Sequence, residues 1–130
     1  MSNEQKALIA YRLERADETL NDARLLFEKE RLCGYVNRLY YACFYAVSAL
    51  LLTKDFSTSK HGHLRSLMHR EFVKAGMISA ELGKHFDLLF NNRQKGDYGD
   101  FIKFNKDEVA DWFAKTEQFV NHIKAIVAQL

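Results

Sequence analysis

A single arginine stands in the most apolar stretch of the chain, YVNRLYYACFYAVSALL at residues 35–51. A helix would bring three further residues onto the face of Arg38, at spacings of three, four and seven: Tyr41, Ala42 and Tyr45. Two explanations are open. Arg38 can extend its aliphatic stem over the core and reach water or a carboxylate, or it can be a fixed cation that binds a phosphate between two phenols.

The histidine that could work with this arginine is His61. It shares one helical face with Arg65 and His69, at spacings of four and eight. It could approach Arg38 from a neighbouring helix, or hydrogen bonds could simply hold it at a helix start. Since eight residues span about 12 Å of helix, His61 and His69 cannot chelate one ion. The remaining histidines are predicted to be solvated: His63, His85 and His122.

A third polar group comes from RQKGDYGDF at residues 93–101, whose glycines and aspartates predict a loop from residue 94. In one interpretation Asp97 and Asp100 bind backbone N–H groups and Arg93 pairs with one of them. In the other, the loop closes over the Arg38 face, so that Arg93 binds phosphate and Tyr98 stacks on a base.

Composition narrows the class of protein. The 130 residues carry a formal charge of only +2, which does not favour nucleic-acid binding by bulk electrostatics. No segment resembles a signal peptide or a membrane span, and we expect no membrane contact. Cys33 and Cys43 match no metal spacing and are predicted to be reduced thiols of a cytosolic protein. No metal or cofactor motif is present, so we expect no cofactor.

Apolar periodicity predicts the helices that must position these residues. Residues 4–31 form an amphipathic helix, with Gly34 as a C-cap residue, and the apolar helix follows to about residue 54. Ser57, Thr58 or Ser59 would cap a third helix that ends near KAGM. Ser79 would cap a fourth.

One long helix from about Lys106 to Leu130 completes the chain, and no window indicates a strand. We therefore predict a single all-α domain over residues 1–130, folded as an up-and-down bundle of four to five helices. Because the second helix is apolar nearly all round, the other helices must cover it, alone or with a second copy of the chain. A homodimer is the natural extension.

Three segments resemble the HEPN domain family (higher-eukaryote and prokaryote nucleotide-binding), in its branch of small bacterial and archaeal proteins. They are NRLYYACFYAVSALL at 37–51, SKHGHLRSLMHREFVKAG at 59–76 and LLFNNRQKGDYGDF at 88–101. The resemblance implies a helical bundle that dimerises. Many members resemble metal-independent ribonucleases, in which an arginine neutralises the phosphate and a histidine four to six residues later moves the proton.

Other members resemble toxins that a small nucleotidyltransferase silences by modifying a tyrosine near the motif. In this chain Tyr45 is the best match, since it lies one turn beyond Tyr41 on the arginine face. The ribonuclease motif itself departs from the family. After four, five and six intervening residues Arg38 is followed by Cys43, Phe44 and Tyr45, none of which is an effective base at neutral pH.

The sequence therefore predicts a cytoplasmic module that binds RNA or a nucleotide, as one half of a toxin–antitoxin or defence pair with a small nucleotidyltransferase. Arg38 would hold phosphate and Tyr41 and Tyr45 would line the pocket, bordered by residues of the later loop: Arg93, Asp97 and Tyr98. Two alternatives remain. One is an active metal-independent endoribonuclease with Arg38 and His61 as catalytic residues. The other is a dimeric scaffold without a ligand.

Overall fold

The computed structural model describes residues 1–98 and 102–130, and of residues 95–98 it describes the backbone alone. The predicted all-α class is confirmed, since the described residues form helices and no strand. The helices are α1 (Asn3–Glu28), α2 (Leu32–Leu52), α3 (His61–Met68), α4 (Ala80–Tyr98), α5 (Lys106–Val109) and α6 (Trp112–Ala128). A π-helical segment, His69–Val73, continues α3 directly.

Helix α1 begins at a side-chain cap, and a residue in the left-handed conformation follows its end. The backbone N–H of Gln5 donates to Ser2 Oγ at 3.0 Å. At the other end Glu30 takes a φ of +57°, so the prediction that Gly34 ends this helix is wrong. Gly34 instead lies in the first turn of α2, where a Cβ would stand only 3.3 Å from Leu26. Its small size therefore serves the close packing of α1 and α2.

Helix α2 is the centre of the bundle. It packs against α1, α4 and α6, and most of its side chains are buried. The Tyr35 hydroxyl donates to the carbonyl oxygen of Val109 at 2.7 Å, which satisfies the phenol inside the core. Helices of the same chain thus cover the apolar surface that the sequence showed on nearly every side of α2.

The connection into α3 differs from the predicted cap. Lys60, not Ser57, Thr58 or Ser59, is the N-cap residue, and its side chain makes no capping bond. Thr58 Oγ1 accepts the backbone N–H of Lys60 at 3.2 Å and therefore orders the turn one step earlier. After the π-helical segment the chain turns at Gly76, with a φ of +80°.

Helix α4 begins as predicted and ends later. The N–H of Leu82 donates to Ser79 Oγ at 3.1 Å, which confirms the predicted cap. The loop predicted from residue 94 is wrong for residues 94–98, which continue α4. Core packing of Phe86 and Leu89 and the burial of Arg93 hold the helix in place up to this segment, overriding the local turn signals. Asp100 lies outside the described residues.

The predicted last helix is interrupted. Asn105 caps α5 by accepting the N–H of Asp107 at 2.9 Å, but the helix breaks after Val109. At this break the carbonyl oxygen of Val109 accepts a hydrogen bond from the Tyr35 hydroxyl. The apolar stripe of α6 is confirmed by its buried positions, whereas Leu130 is 61% exposed. In the part of the chain that the structure describes, no helix is both long enough and apolar enough to cross a bilayer.

Candidate functional site

A cleft of about 590 Å³ opens between α1, α2 and the segment that leads into α3. Helix α1 lines one side with Tyr11, Arg12 and Arg15. These residues occupy the border between the buried stripe of α1 and its solvent face. Consequently their long side chains extend over the cleft while the stripe below them packs on α2.

Aromatic rings line the opposite side. The ring centroids of Phe44 and His61 are 4.7 Å apart, and those of Tyr41 and His61 are 5.7 Å apart. Tyr45 follows one turn later on α2, with its ring 6.3 Å from that of Tyr41. Such a row of rings offers flat apolar surfaces on which a planar heterocycle could stack.

The two arginines of α1 are tied to α2. Arg15 Nη2 donates to Tyr45 Oη at 3.1 Å, and its guanidinium carbon lies 5.0 Å from the centre of the Tyr45 ring. This hydrogen bond raises the pKa of Arg15 further above its ordinary value. Arg12 makes a longer contact, 3.5 Å from Nη1 to the carbonyl oxygen of Ser48. Both cations are therefore held at the rim of the cleft.

His61 is placed by a phenol from beneath the cleft. Its Nδ1 lies 2.8 Å from the hydroxyl oxygen of Tyr40. Burial raises the pKa of Tyr40, so the phenol keeps its proton and can donate it to Nδ1. Burial, and then the charge of Arg93, lower the pKa of His61. The imidazole is therefore mainly neutral at pH 7, and its Nδ1 is the ring nitrogen bonded to Tyr40.

Arg93 stands behind this pair. It is only 6% exposed, and its guanidinium carbon lies 5.0 Å from the centre of the Tyr40 ring. The positive charge of Arg93 acts on both groups: it lowers the pKa of His61 and opposes the rise that burial causes in the pKa of Tyr40. The side chains of Asp97 and Tyr98 lie outside the described part of the chain, so the structure does not place these two predicted binding residues.

Arg38 lies beside the cleft, about one turn before Tyr41 on α2. It is half-buried, and its Nε and Nη2 donate to Asn37 Oδ1 at 3.0 and 2.7 Å. The guanidinium carbon lies 5.0 Å from the centre of the Tyr41 ring. Arg38 and His61 thus both contact Tyr41, as a shared site requires. Ala42, which helix geometry placed on this face, is fully buried beneath it.

The two other polar residues predicted to share the face of His61, which lie on α3 and on the π-helical segment after it, contact α4 instead. Arg65 Nε and His69 Nε2 bind the same Asp87 oxygen, at 2.6 and 2.9 Å. Burial would raise the pKa of Asp87, but the hydrogen bonds from Arg65 and His69 outweigh it and lower that pKa. The three residues predicted to share a face therefore make different contacts: His61 lines the cleft, whereas Arg65 and His69 bind Asp87 of α4.

The prediction of a solvated His85 is wrong. Its side chain is buried, and Nε2 lies 2.9 Å from Thr116 Oγ1. The Thr116 hydroxyl donates to the carbonyl of Trp112, so it accepts the proton of His85. Burial, and then the charge of Lys115, lower the pKa of His85 to about 4. His122 is half-buried against the carbonyl of Met77, at 2.8 Å, whereas His63 is exposed as predicted.

Among residues 1–94 and 102–130, whose side chains the structure describes, no three histidine, cysteine or acidic side chains come together as metal ligands require. Cys43 is fully buried in the core, and this burial raises the pKa of its thiol. Cys33 is exposed.

Sequence reasoning missed the α1 side of the cleft. Arg12 and Arg15 are three residues apart and therefore share a face, and Tyr11 is four residues before Arg15. This spacing was visible, but similar charged spacings occur elsewhere on α1. What distinguishes these residues is their contact with α2, which only the folded chain shows.

Comparison with known proteins assigns the family. The model of the HEPN domain matches residues 9–126. A UPF0332 protein of Thermotoga maritima is 46% identical over 128 residues, which cover 98% of this chain and 97% of that protein. Two Methanocaldococcus jannaschii proteins, whose names describe them as toxin candidates, are each 33% identical. Their matches cover 86% and 91% of this chain, and 76% and 87% of theirs.

Proposed function

The chain belongs to the HEPN family, and we propose that it binds single-stranded RNA or a nucleotide at the cleft between α1 and α2 as part of a toxin–antitoxin pair. The names of the two archaeal relatives support the toxin-like role. One observation carries the ligand class: aromatic rings line a single cleft, and the guanidinium of Arg38 lies against one of them, Tyr41. Stacking on rings and cations for the backbone are what single-stranded nucleic acid requires.

Each side chain has a role in this proposal. Arg38 binds a phosphate through Nη1, because stacking on Tyr41 leaves the edge of the guanidinium accessible and Asn37 accepts only from Nε and Nη2. Tyr41 and Tyr45 provide stacking surfaces, and Nε2 of His61 forms a hydrogen bond with the ligand. Arg93 acts indirectly, since its charge adds to the larger effect of burial that lowers the pKa of His61.

The remaining parts of the proposal concern partners and the end of α4. Asp97 and Tyr98 border the site. A homodimer places two such sites in one particle, and a small nucleotidyltransferase is the partner that silences the protein. Tyr45 is the candidate for modification. Its hydroxyl accepts from Arg15 at the rim, so a group attached there would obstruct the cleft.

RNA binding can be measured without cleavage. A fluorescein-labelled hexanucleotide with 2′-O-methyl groups lacks the attacking hydroxyl, and its anisotropy reports the Kd. We expect Arg38→Gln to weaken binding about tenfold or more, because one charge-assisted phosphate contact is lost. Arg24→Gln removes an equal charge from the exposed face of α1 and is the control. Absence of binding by the wild type, or equal loss in both variants, would refute the proposal.

A second candidate function is metal-independent RNA cleavage, which the neutral His61 favours. In that reaction the 2′-oxygen attacks the adjacent phosphorus and the bond to the 5′-oxygen breaks. In the tautomer whose Nδ1–H donates to the Tyr40 hydroxyl, Nε2 of the neutral His61 carries a lone pair. Nε2 would accept the proton of the 2′-hydroxyl as the 2′-oxygen attacks, and the resulting imidazolium would then give that proton to the leaving 5′-oxygen, while Arg38 stabilises the charged phosphorane.

Cleavage of an unmodified RNA in the presence of a chelator tests this second function. The expected result is a bell-shaped dependence of rate on pH that is lost in His61→Ala, together with loss of activity in Arg38→Ala. If folded wild-type protein leaves the RNA intact, the ribonuclease function is excluded and RNA binding alone remains.

A further inference from the structure

We infer that Arg12 and Arg15 form a second phosphate subsite, so that the ligand of the cleft is a single-stranded oligonucleotide rather than a mononucleotide. This inference rests on the proposed function and adds to it the length of the ligand. Its evidence comes from α1, which contributes nothing to the predicted phosphate contact at Arg38.

The first observation is a repeated pairing of a guanidinium with a phenol. Arg38 stacks on Tyr41, and Arg15 stacks on Tyr45, each with its guanidinium carbon 5.0 Å from the ring centre. The two rings are neighbours, with centroids 6.3 Å apart. A cation therefore stands at each end of a short stacking surface. One nucleotide on these rings can place its phosphate at one end only.

The second observation is the charge of the lining. None of the described residues that line the cleft carries a carboxylate, whereas Arg12 and Arg15 each contribute a full positive charge. The nearest acidic partner is Glu18, whose Oε2 lies 3.9 Å from Arg15 Nη1. Both side chains of this pair are largely exposed, so it contributes little. The local field therefore favours an anion even though the whole chain is close to neutral.

The third observation is the way the arginines are held. Arg15 donates to Tyr45 at 3.1 Å and Arg12 contacts the Ser48 carbonyl at 3.5 Å. A guanidinium has five N–H donors, so these bonds orient each group while leaving donors for phosphate oxygens. Hydroxyls from Thr58 and Ser59 line the cleft as well and can donate to the same phosphate or to a ribose.

These features together define the ligand. Bases stack along Tyr41, Phe44 and Tyr45, one phosphate lies at Arg38, and a second phosphate lies between Arg12 and Arg15. The cleft volume of about 590 Å³ suits a ligand of this kind, which continues out of the open ends. Affinity should thus rise with oligonucleotide length until both cationic ends are filled.

The test is a length series of labelled 2′-O-methyl RNAs containing one, two, four and six nucleotides. We expect Arg12→Gln/Arg15→Gln to weaken hexanucleotide binding about tenfold or more and to leave mononucleotide binding within twofold. The slope of log Kd against log salt should fall by about 0.7, since each phosphate contact on a single strand contributes about that amount. The control is Arg24→Gln/Arg31→Gln, which removes two exposed charges outside the cleft.

The outcomes separate the two proposals. If Arg38→Gln weakens the hexanucleotide but the double variant at Arg12 and Arg15 binds like its control, the subsite is refuted and the proposed function stands. If no RNA binds to the wild type, both fail. Displacement of the RNA by an equally charged polyglutamate peptide at the same concentration would also overturn the inference, because it would identify a site for acidic peptides.

Discussion

Arg38 stands in the most apolar helix of the chain, and its immediate neighbours explain how a permanent charge is kept there. Two of its N–H groups donate to the amide oxygen of Asn37, and its guanidinium lies against the Tyr41 ring. Among the described residues these contacts hold the cation without a carboxylate, and they leave other N–H donors of the guanidinium for an anion. The sequence could predict Arg38 beside Tyr41 from helix geometry, but not that Asn37 would be its acceptor.

His61 provides a titration that checks the electrostatics of the site. The charge of Arg93 lowers the pKa of His61, after the larger effect of burial. We predict that Arg93→Gln raises the pKa of His61 towards its ordinary value, because the charge is removed while burial persists. The measurement is a pH titration of the His61 ring signals by NMR.

The control for this titration is Arg70→Gln, which removes an exposed arginine that pairs with Glu71. It should leave the pKa of His61 unchanged. Equal pKa values in wild type and Arg93→Gln, with the fold intact by thermal melting, would contradict the placement of Arg93 behind Tyr40 and His61.

Among the helices, periodic apolar positions predicted the elements far better than single turn residues predicted their ends. The stripes of α1 and α6 face the core as expected. Local signals failed where a distant contact decided the outcome. Gly34 serves packing against Leu26, and the carbonyl of Val109, where α5 ends, binds the Tyr35 hydroxyl 74 residues away along the chain. Such contacts leave no local pattern.

Two glycines test the backbone account of these elements. Gly76 has a φ of +80°, whereas Gly62 lies in α3 with open space around the position of a Cβ. Gly76→Ala should lower the free energy of unfolding by about 1 kcal/mol or more, since a side chain is strained in the left-handed region. Gly62→Ala should raise it by up to about 1 kcal/mol, because alanine favours the helix.

Urea unfolding of both variants measures these changes directly. Each glycine variant is the control for the other, because the same methyl group is added in both. A loss of stability in Gly62→Ala equal to that in Gly76→Ala would contradict the assigned conformations.

The burial of His85 between α4 and α6 makes stability depend on pH. His85 has a pKa of about 4 in the folded protein and about 6.5 when unfolded. Between these values the unfolded chain binds a proton that the folded chain does not, so stability falls as pH falls from about 6.5 to 4. At about 1.4 kcal/mol per pKa unit the loss is on the order of 3 kcal/mol.

Urea unfolding between pH 7 and pH 4 checks this prediction, with His85→Gln as the comparison. The free energy of unfolding should fall more steeply in the wild type, by roughly 3 kcal/mol over the range. His61 has its pKa lowered in the same direction, but it is present in both proteins and cancels. Parallel curves for the two proteins would show that His85 is not buried and neutral.

For the whole molecule, the sequence predicted the bundle and one side of the site. Arg38, Tyr41, Tyr45 and His61 were identified because their spacing and motifs are local. The cleft as a cavity could not be predicted, since it forms only where α1, α2 and the chain before α3 meet. For the same reason the net charge of +2 did not predict an anion site. The described residues that line the cleft include arginines and no carboxylate, although the whole chain is nearly neutral.

The central claim is that this cleft binds single-stranded RNA, and NMR of the aromatic rings tests it most directly. A 2′-O-methyl hexanucleotide is titrated into protein labelled on its aromatic side chains. We predict that the largest shifts fall on rings that line the cleft: Tyr11, Tyr41, Phe44, Tyr45 and His61. The rings of Phe113 and Trp112, which line no part of it, should stay unchanged. Shifts that are absent, or that centre on Phe113 and Trp112, would contradict the account.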